Sequence, residues 1–351
     1  MPYNFPAQEI YNFCTHLLAG VGVPREDAAI VATVLVDTSL DGIDTHGISR
    51  LPVYLTRLQN GRINVRAQIK SKRTAPAIVT IDGDNGLGQL VSVRAMETAI
   101  ETARAVGVGV VPVKHSNHFG AATYYCKMAA DAGMVGMAFT NSPPGIPPWG
   151  GKKPYFGTNP IAFGFPRAGD PVVVDMSSSN VARGNIILAA KEGRSIPEGW
   201  AIDADGLPTT DAQKALAGAV LPLGGPKGYA LALAVEILSG VVSGAAYGPH
   251  VGWIYDDNLE PVNIGHFFIA INIEPLMPQD EYINRMEDMV SEIKAVPKAQ
   301  GCERILLPGE RKQANAARRL KEGIPVTDTL LAELNDIATS LGLETLSGET
   351  A

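Results

Sequence analysis

The sequence predicts an α/β or α+β core joined to a helical domain that both chain ends form. Apolar residues recur at helical spacing in residues 7–58 and 311–341. Between them, short apolar runs typical of buried strands alternate with helical patterns. The length of 351 residues exceeds that of a usual single domain. We therefore expect residues 1–72 with 310–351 to form the helical domain and residues 73–309 the mixed core.

The amino-terminal segment predicts three helices. Ile10, Phe13 and Leu17 recur at helical spacing in the first. Pro24 opens the second, because proline is favoured in the first turn of a helix, and the pattern runs to Leu40. The third has its apolar positions at Val53, Leu55 and Leu58.

The middle of the chain alternates predicted strands and helices. The predicted strands are 69–72, 77–81, 108–113, 134–140, 161–165, 171–175 and 266–273. The predicted helices in this part are 89–105, 119–132, 184–191 and 280–295. A further long helix begins in the segment 224–228 and ends at Ser243. Near the carboxyl end, helices are predicted at 311–322 and 328–341. Residues 141–151 form a loop rich in Pro and Gly, and long loops of this kind are often functional.

Composition and charge argue against several classes of protein. The formal net charge of -7 does not favour a nucleic acid partner. Three widely spaced cysteines, without metal-ligand spacing, fit a reducing compartment. The first residues lack the basic and apolar regions of a signal peptide. The most apolar run, 229–242, contains Glu236 and is shorter than the ~20 residues that a membrane span needs. We expect a cytoplasmic protein that binds neither nucleic acid nor membrane.

The glycine-rich fingerprint of Rossmann dinucleotide-binding domains is absent. Gly107-Val108-Gly109 comes closest, but Pro112 stands where the third glycine should be. Walker A, His-Glu-x-x-His and Gly-x-Ser-x-Gly motifs are absent as well. Any dinucleotide must therefore be bound by another architecture.

Residues 41–50 carry the most reactive set of side chains. His46 can exchange a proton near neutral pH. Arg50 can bind a carboxylate through two parallel hydrogen bonds. On a helical turn, their spacing of four would place one above the other. The alternative is a surface histidine, with the arginine paired to Asp41 or Asp44.

Three further segments offer polar groups where an element begins or ends. His115 and His118 follow a predicted strand, but no third ligand lies nearby, so we expect no metal and a hydrogen-bonding role instead. Lys227 opens a helix whose positive end would favour an anion, although a solvated lysine is an equal alternative. Residues 177–180 could bind a diphosphate or simply cap a helix.

Several motifs, in this order, resemble those of the malate/L-lactate dehydrogenase family, whose NAD(P)-dependent oxidoreductases lack the Rossmann fold. The resemblance runs from about Glu9 to Leu341. Its motifs are Thr-His-Gly-Ile-Ser-Arg at 45–50, Ser-Asn-His-Phe-Gly at 116–120, Phe-Gly-Thr-Asn-Pro-Ile-Ala-Phe at 156–163, Val-Asp-Met-Ser at 174–177, Asp-Gly-Leu-Pro-Thr-Thr at 205–210 and Gly-Pro-Lys-Gly-Tyr at 225–229. Thr45 stands where many relatives have serine.

The resemblance implies hydride transfer between NAD or NADP and C2 of a small 2-oxo or 2-hydroxy acid of the malate, lactate, sulfolactate or ureidoglycolate type. It implies a mixed, largely antiparallel sheet and usually a homodimer. His46 or, as assigned in some relatives, His118 would transfer the proton. Arg50 would hold the substrate carboxylate, with Ser49 and Thr158 also in contact with the substrate. The residues implied to contact the cofactor are Ser142, Asp175, Met176, Ser177, Ser178, Ser179, Asn180, Pro226, Lys227, Gly309 and Glu310.

Two alternative functions stay open at this point. One is the reduction of a cyclic or open 2-imino acid, of the piperideine-2-carboxylate or pyrroline-2-carboxylate type. The other is a dinucleotide-binding protein without turnover, acting as a sensor or scaffold. The residues alone do not distinguish NAD from NADP, because the acidic residue that decides this in Rossmann domains has no counterpart here.

Overall fold

The structure is a computed structural model that describes residues 3–256 and 260–347. In that part of the chain the strands are β1 (Tyr3–Phe5), β2 (Lys70–Ala75), β3 (Ile78–Asp82), β4 (Val108–Ser116), β5 (Met134–Thr140), β6 (Ile161–Phe165), β7 (Val172–Met176), β8 (Ala201–Ile202), β9 (Pro208–Thr209), β10 (Ala219–Val220), β11 (Ile264–Asn272) and β12 (Ile324–Val326). The helices are α1 (Ala7–Gly20), α2 (Arg25–Leu40), α3 (Leu51–Gln59), α4 (Gly88–Val106), α5 (Ala122–Asp131), α6 (Arg183–Lys191), α7 (Ala212–Ala217), α8 (Pro226–Glu236), α9 (Gln279–Ala295), α10 (Glu310–Glu322) and α11 (Asp328–Ser340).

A seven-stranded sheet in the order β2-β3-β4-β11-β5-β6-β7 forms the centre of the protein. Its β3–β4 pair is parallel, and its other described pairs are antiparallel. β11 comes late in the chain but inserts between β4 and β5. The predicted mixed, largely antiparallel sheet is therefore confirmed.

Helices cover both faces of this sheet. Phe268 of β11 packs in one core with residues of α4 and α5, whereas Phe267 packs in another with Val235 of α8. Neighbouring strand residues point to opposite faces, so α8 lies on the side away from α4 and α5. Gly109 of β4 permits the close approach of α4, since an added Cβ would lie 2.1 Å from the carbonyl oxygen of Ala99.

The two chain ends share a further core. Leu17 of α1, Leu35 of α2 and Leu55 of α3 are fully buried in one cluster with Leu334 of α11. β1 pairs antiparallel with β12 and joins the ends through backbone hydrogen bonds. The strands of this pair have three residues each, which is too short for a clear alternating pattern in the sequence.

Several elements differ from the sequence prediction. The helix expected at 119–132 begins only at Ala122, because Gly120 has a φ of 84° and no helix continues through that conformation. The helix expected to reach Ser243 is α-helical only to Glu236 and continues as the π-helix Ile237–Val242. The loop expected after residue 193 contains the helix α7 and the strands β8, β9 and β10. Each of these strands has only two residues.

The predicted division into residues 1–72 with 310–351 and residues 73–309 remains our proposal. The core of the chain ends contains buried residues from 5–90 and 324–346, which fits this division approximately. β2, however, belongs to the central sheet and spans residue 72. The parts of the division that fall on residues 1, 2 and 348–351 lie outside the described residues.

Candidate active site

His46 and His118 meet although they are distant in sequence. Their ring centroids are 5.5 Å apart. The Nδ1 atom of His46 lies 2.8 Å from the Thr45 hydroxyl, and that of His118 lies 2.6 Å from the Tyr54 hydroxyl. Hydroxyl partners at both Nδ1 atoms leave the Nε2 atoms as the positions for exchanging a proton or hydrogen bond with a ligand.

Both histidines are neutral at pH 7. Burial lowers the pKa of His46 to about 4, and the charge of Arg50 adds to this effect, while Asp175 opposes it. Burial also holds the pKa of His118 well below its ordinary value, and the nearby His46 and Arg50 disfavour its protonated form further. Perturbation of this kind is typical of functional sites.

Arg50 presents a partly used guanidinium next to this pair. Its Nε donates to the Thr45 carbonyl oxygen at 2.5 Å, and its Cζ lies 5.8 Å from the centre of the Tyr255 ring. Its two terminal nitrogens have no hydrogen-bond partner among the described residues. One edge of the fork is therefore available to a carboxylate. Ser49 is less available, because its hydroxyl donates to the Asp44 carbonyl oxygen.

The predicted helical stacking of His46 on Arg50 is wrong. His46 lies in a turn, and only Ile48–Arg50 form a short 3-10 helix before α3. Gly47, with a ψ of -138°, separates the two conformations. The alternative in which Asp41 or Asp44 occupies Arg50 is also excluded, because Asp41 pairs with Lys127 and Asp44 pairs with Arg319.

Helix α10 supports the turn that carries His46. Arg319 is buried, and its Nη2 donates to the Asp44 carboxylate at 3.0 Å while its Nη1 donates to the Ser39 carbonyl oxygen at 2.5 Å. Asn315, one turn earlier, donates to the Asp41 carbonyl oxygen at 3.4 Å. The turn is thus fixed from the carboxyl-terminal part of the chain.

The same helix supplies a cation beside Asp175. The Asp175 carboxylate accepts hydrogen bonds from Lys312 Nζ at 3.1 Å and from the Thr123 backbone N–H at 3.2 Å. Asp175 and Lys312 both act electrostatically on His46. Asp175 was expected to contact the cofactor, and the structure also places it near the acid–base pair.

Sequence reasoning missed Tyr54, Thr123, Lys312 and Tyr255. Tyr54 follows Arg50 by four residues, which is a helical neighbour spacing and could have indicated it. Thr123 and Lys312 come together only through the tertiary fold, so no local pattern identifies them.

Four loops join around Thr158. The Thr158 N–H donates to the Ser142 hydroxyl at 3.1 Å, and the Thr158 carbonyl oxygen accepts from the Ser178 N–H at 2.8 Å. The Ser178 carbonyl oxygen in turn accepts from Leu223 at 2.9 Å, just before α8 begins. The structure therefore brings Ser142, Thr158 and the 177–180 segment together with the start of α8.

The amino end of α8 suits the diphosphate of a dinucleotide. Lys227 is exposed in the first turn and has no hydrogen-bond or ion-pair partner among the described residues. The helix presents unpaired backbone N–H groups and a partial positive charge there. Pro226 occupies the position where a missing N–H costs least. The Ser177 and Ser179 hydroxyls, 2.9 Å apart, add polar groups beside it.

Some predicted site residues lie elsewhere or are otherwise engaged. Pro308, just before Gly309, accepts a hydrogen bond from Val173 of β7, and the Glu310 carboxylate pairs with Lys294. His115 lies apart from His118, with its Nδ1 at 3.0 Å from the Asp82 carboxylate. Met176 is exposed and Asn180 donates to the Gly199 carbonyl oxygen.

Neither a metal cluster nor a membrane span is found in the described chain. No group of three or more His, Cys, Asp or Glu side chains there could hold a metal ion. None of its helices combines the length and the apolar character that crossing a bilayer requires.

Comparison with known proteins establishes the family. The model of the malate/L-lactate dehydrogenase family matches residues 5–335. The chain belongs to this family. An L-sulfolactate dehydrogenase of Methanocaldococcus jannaschii is 45% identical over 93% of the chain and 94% of that protein. A malate dehydrogenase of Pyrococcus abyssi is 42% identical over 98% of the chain and 96% of that protein. The solved sulfolactate dehydrogenase of M. jannaschii superposes with a TM-score of 0.92, at 43% identity and with 98% of each chain covered.

Membership in the malate/L-lactate dehydrogenase family confirms the predicted class of enzyme, an oxidoreductase acting on 2-hydroxy acids with a nicotinamide cofactor. More distant relatives include a ureidoglycolate dehydrogenase (NAD(+)) of Escherichia coli, 34% identical over 92% of each chain, and a (2R)-3-sulfolactate dehydrogenase (NADP(+)) of Chromohalobacter salexigens, 39% identical over 92% of this chain and 94% of that protein. A solved delta1-piperideine-2-carboxylate reductase of Pseudomonas syringae has a TM-score of 0.86, at 33% identity over 95% of this chain and 99% of that chain.

Replacing Arg319 should destabilise the turn that carries His46. We expect Arg319→Met to lower the free energy of unfolding by about 2–3 kcal/mol, because the hydrogen bonds of the buried guanidinium to the Asp44 carboxylate and the Ser39 carbonyl oxygen are lost. Arg318→Met is the matched control, since Arg318 makes only an exposed pair with Glu322 and should change stability by less than about 0.5 kcal/mol. Urea denaturation of both variants measures the difference, and equal effects would contradict the role of Arg319.

Proposed function

We propose that this dehydrogenase acts on a small 2-hydroxy acid or 2-oxo acid whose carboxylate binds Arg50. The observation that carries the proposal is two neutral imidazoles with ring centroids 5.5 Å apart, next to a guanidinium with unpaired terminal nitrogens. The names of the relatives support malate or sulfolactate as the type of substrate. Ser49 and Thr158 are proposed as further substrate contacts.

We assign the proton transfer to His46. Asp175 is the carboxylate whose charge favours protonated His46, whereas Arg50, the charged neighbour of His118, disfavours protonation of that ring. His118 is therefore better suited to remain neutral. The Tyr54 hydroxyl can donate to its Nδ1, which puts the ring proton on Nε2 as a hydrogen-bond donor to the C2 oxygen.

When bound, NAD or NADP would provide the hydride chemistry at C2 of the substrate. Lys227, Pro226 and the start of α8 are proposed to hold the diphosphate, together with the 175–180 segment. Ser142 would position the cofactor from the opposite loop. Gly309 and Glu310 are kept as proposed contacts beside β7. Comparison of turnover with NADH and with NADPH decides between NAD and NADP.

We propose that the enzyme is a homodimer and works in the cytoplasm. The segment formed by α8 and the π-helix exposes Leu231, Ile237, Val241 and Val242, and contiguous exposed apolar surface of this kind typically marks an interface. Three free cysteines support a reducing compartment. Light scattering should give twice the mass of 37.1 kDa, and Val241→Glu should shift the protein toward monomer. A monomeric unmodified protein would exclude the dimer.

The test of the function is a panel of substrates. NADH or NADPH is added with pyruvate, oxaloacetate, 3-sulfopyruvate, glyoxylate or piperideine-2-carboxylate, and absorbance follows the reduced cofactor. We expect turnover with a 2-oxo acid. Turnover restricted to the cyclic imine would instead establish the 2-imino acid alternative, which the solved piperideine-2-carboxylate reductase favours as second candidate. Cofactor binding without any turnover would oppose both.

His46→Ala should lower kcat with the best substrate by about 10²–10⁴-fold, the usual size of a general acid–base contribution. His16→Ala is the control, because His16 is an exposed histidine on α1 and should leave kcat unchanged. Circular dichroism checks that each variant remains folded. A larger loss in His118→Ala than in His46→Ala would reverse the assignment of the two histidines.

The pH dependence of oxidation should show the lowered pKa of His46. Oxidation of the hydroxy acid needs His46 neutral, so that it can accept the hydroxyl proton. Because its pKa is about 4, kcat/KM, which reports the free enzyme, should stay level from pH 8 down to about 5. A histidine with an ordinary pKa would already lose about tenfold at pH 5.5. A midpoint between pH 6 and 7 would contradict the desolvation of this site.

A further inference from the structure

A buried carboxylate, Glu236, lies where α8 changes into the π-helix. Its side chain is 3% exposed, and no cation pairs with it among the described residues. Its Oε1 accepts hydrogen bonds from Asn141 Nδ2 at 3.2 Å and from the Gly248 N–H at 2.7 Å, and its Oε2 accepts one from Asn159 Nδ2 at 2.7 Å. Three donors thus replace the water that the charge loses on burial.

The three donors belong to three separate segments of the site. Asn141 directly precedes Ser142, and Asn159 directly follows Thr158. Gly248 begins the 3-10 helix Gly248–His250, which leads toward the residue that covers Arg50. The carboxylate itself lies on the helix whose first turn contains Lys227. One side chain therefore joins α8, whose first turn is proposed to hold the diphosphate, to the loops that carry Ser142 and Thr158.

Both asparagines are held without freedom to move. Asn141 is 1% exposed, its Oδ1 accepts from the Gly265 N–H at 3.0 Å, and its Nδ2 also donates to the Ala246 carbonyl oxygen at 2.7 Å. Asn159 is fully buried and has a φ of 34°, in the left-handed region that asparagine adopts more readily than most other non-glycine residues. Its Nδ2 also donates to the Ala232 carbonyl oxygen at 2.9 Å, which holds the side chain from a second direction.

The space between the two loops is also fully used. An added Cβ on Gly157 would lie 2.1 Å from the Ser142 hydroxyl oxygen and 2.7 Å from the Asn159 side-chain oxygen. The loop that bears Ser142 and the loop that bears Thr158 therefore cannot shift independently. A change in the hydrogen bonds of Glu236 would be transmitted to both.

We propose that Glu236 is a positioning residue for the cofactor contact Ser142. It fixes Ser142 through Asn141 and, through Asn159, fixes Thr158, whose N–H donates to the Ser142 hydroxyl. The inference rests on the proposed function of those two residues. It predicts an effect on cofactor affinity that exceeds the effect on the chemical step, because His46 and Arg50 belong to other segments. A carboxylate that only stabilised the fold would lower the melting temperature and leave cofactor affinity unchanged.

Glu236→Gln tests this inference at nearly constant size. In this variant an amide NH2, which is a donor, replaces one carboxylate oxygen, which is an acceptor. The NH2 group then faces an N–H of Asn141, Asn159 or Gly248, and one hydrogen bond is lost. We expect the Kd for NADH or NADPH, measured by fluorescence titration, to rise about tenfold, the equivalent of one lost hydrogen bond to a charged group. At saturating cofactor, kcat should change less than about threefold. Glu101→Gln, an exposed site on α4, is the control and should leave Kd unchanged.

A swap of polar groups tests the geometry directly. In Glu236→Gln with Asn159→Asp, the glutamine amide can donate to the new carboxylate, whereas Asn159→Asp alone places two carboxylates together. Asn159→Asp also removes the hydrogen bond from Asn159 Nδ2 to the Ala232 carbonyl oxygen. The double variant is therefore compared with Asn159→Asp, and it should bind cofactor more tightly than that variant. Glu236→Asp, which keeps the charge but shortens the reach, replaces Glu236→Gln if that variant does not fold, with the same expected rise in Kd.

The outcomes separate this inference from the proposed function. An unmodified protein that binds neither NADH nor NADPH would overturn the proposed function itself. Binding that stays within twofold in Glu236→Gln or its replacement, or a double variant that binds cofactor no better than Asn159→Asp, would overturn only the role of Glu236. A selective rise in Kd with recovery in the double variant supports it.

Discussion

The ion pair between Arg319 and Asp44 holds the turn that bears His46, the proposed proton-transfer residue. This turn belongs to no helix or strand, and its backbone hydrogen bonds, such as that from the His46 N–H to the Ile43 carbonyl oxygen, join only residues close in sequence. Arg319 and Asp44, which form the ion pair, are 275 positions apart in the chain. Lys312 of the same helix completes the surroundings of Asp175. The proposed acid–base centre therefore takes its shape from the docking of α10 against the turn that follows α2.

Local periodicity predicted most of the fold, and long-range pairing accounts for what it missed. The bounds of α2, α9 and the strand Met134–Thr140 follow from apolar spacing within one segment, which the sequence shows directly. β1 and β12, by contrast, become strands only by pairing with each other. The two-residue strands near residue 200 carry no pattern at all. The helix expected from residue 119 begins only at Ala122, because Gly120 has a left-handed backbone conformation. The spacing of apolar residues does not reveal such a conformation.

The candidate site shows the same division between local and distant information. His46, Arg50 and His118 were identified from residue type and motif, and the structure brings them together. The charges that set their protonation were not identified, because Lys312 reaches the site only through the tertiary fold. The helical stacking expected of His46 and Arg50 failed for a local reason, the non-helical backbone at Gly47 with its ψ of -138°. Residue chemistry was thus predictable, whereas its geometry and electrostatics required the fold.

The burial that keeps His46 neutral also explains how the site can serve both directions of the reaction. In the free enzyme, the positive charge of Arg50 adds to desolvation in lowering the pKa of His46. A substrate carboxylate bound to Arg50 would offset that charge and leave Asp175 as the dominant neighbour. Binding would then raise the pKa of His46 toward the range in which it can donate a proton to the C2 oxygen. In the proposed role, neutral His46 would accept a proton in oxidation, and the bound substrate would prepare it to return one in reduction.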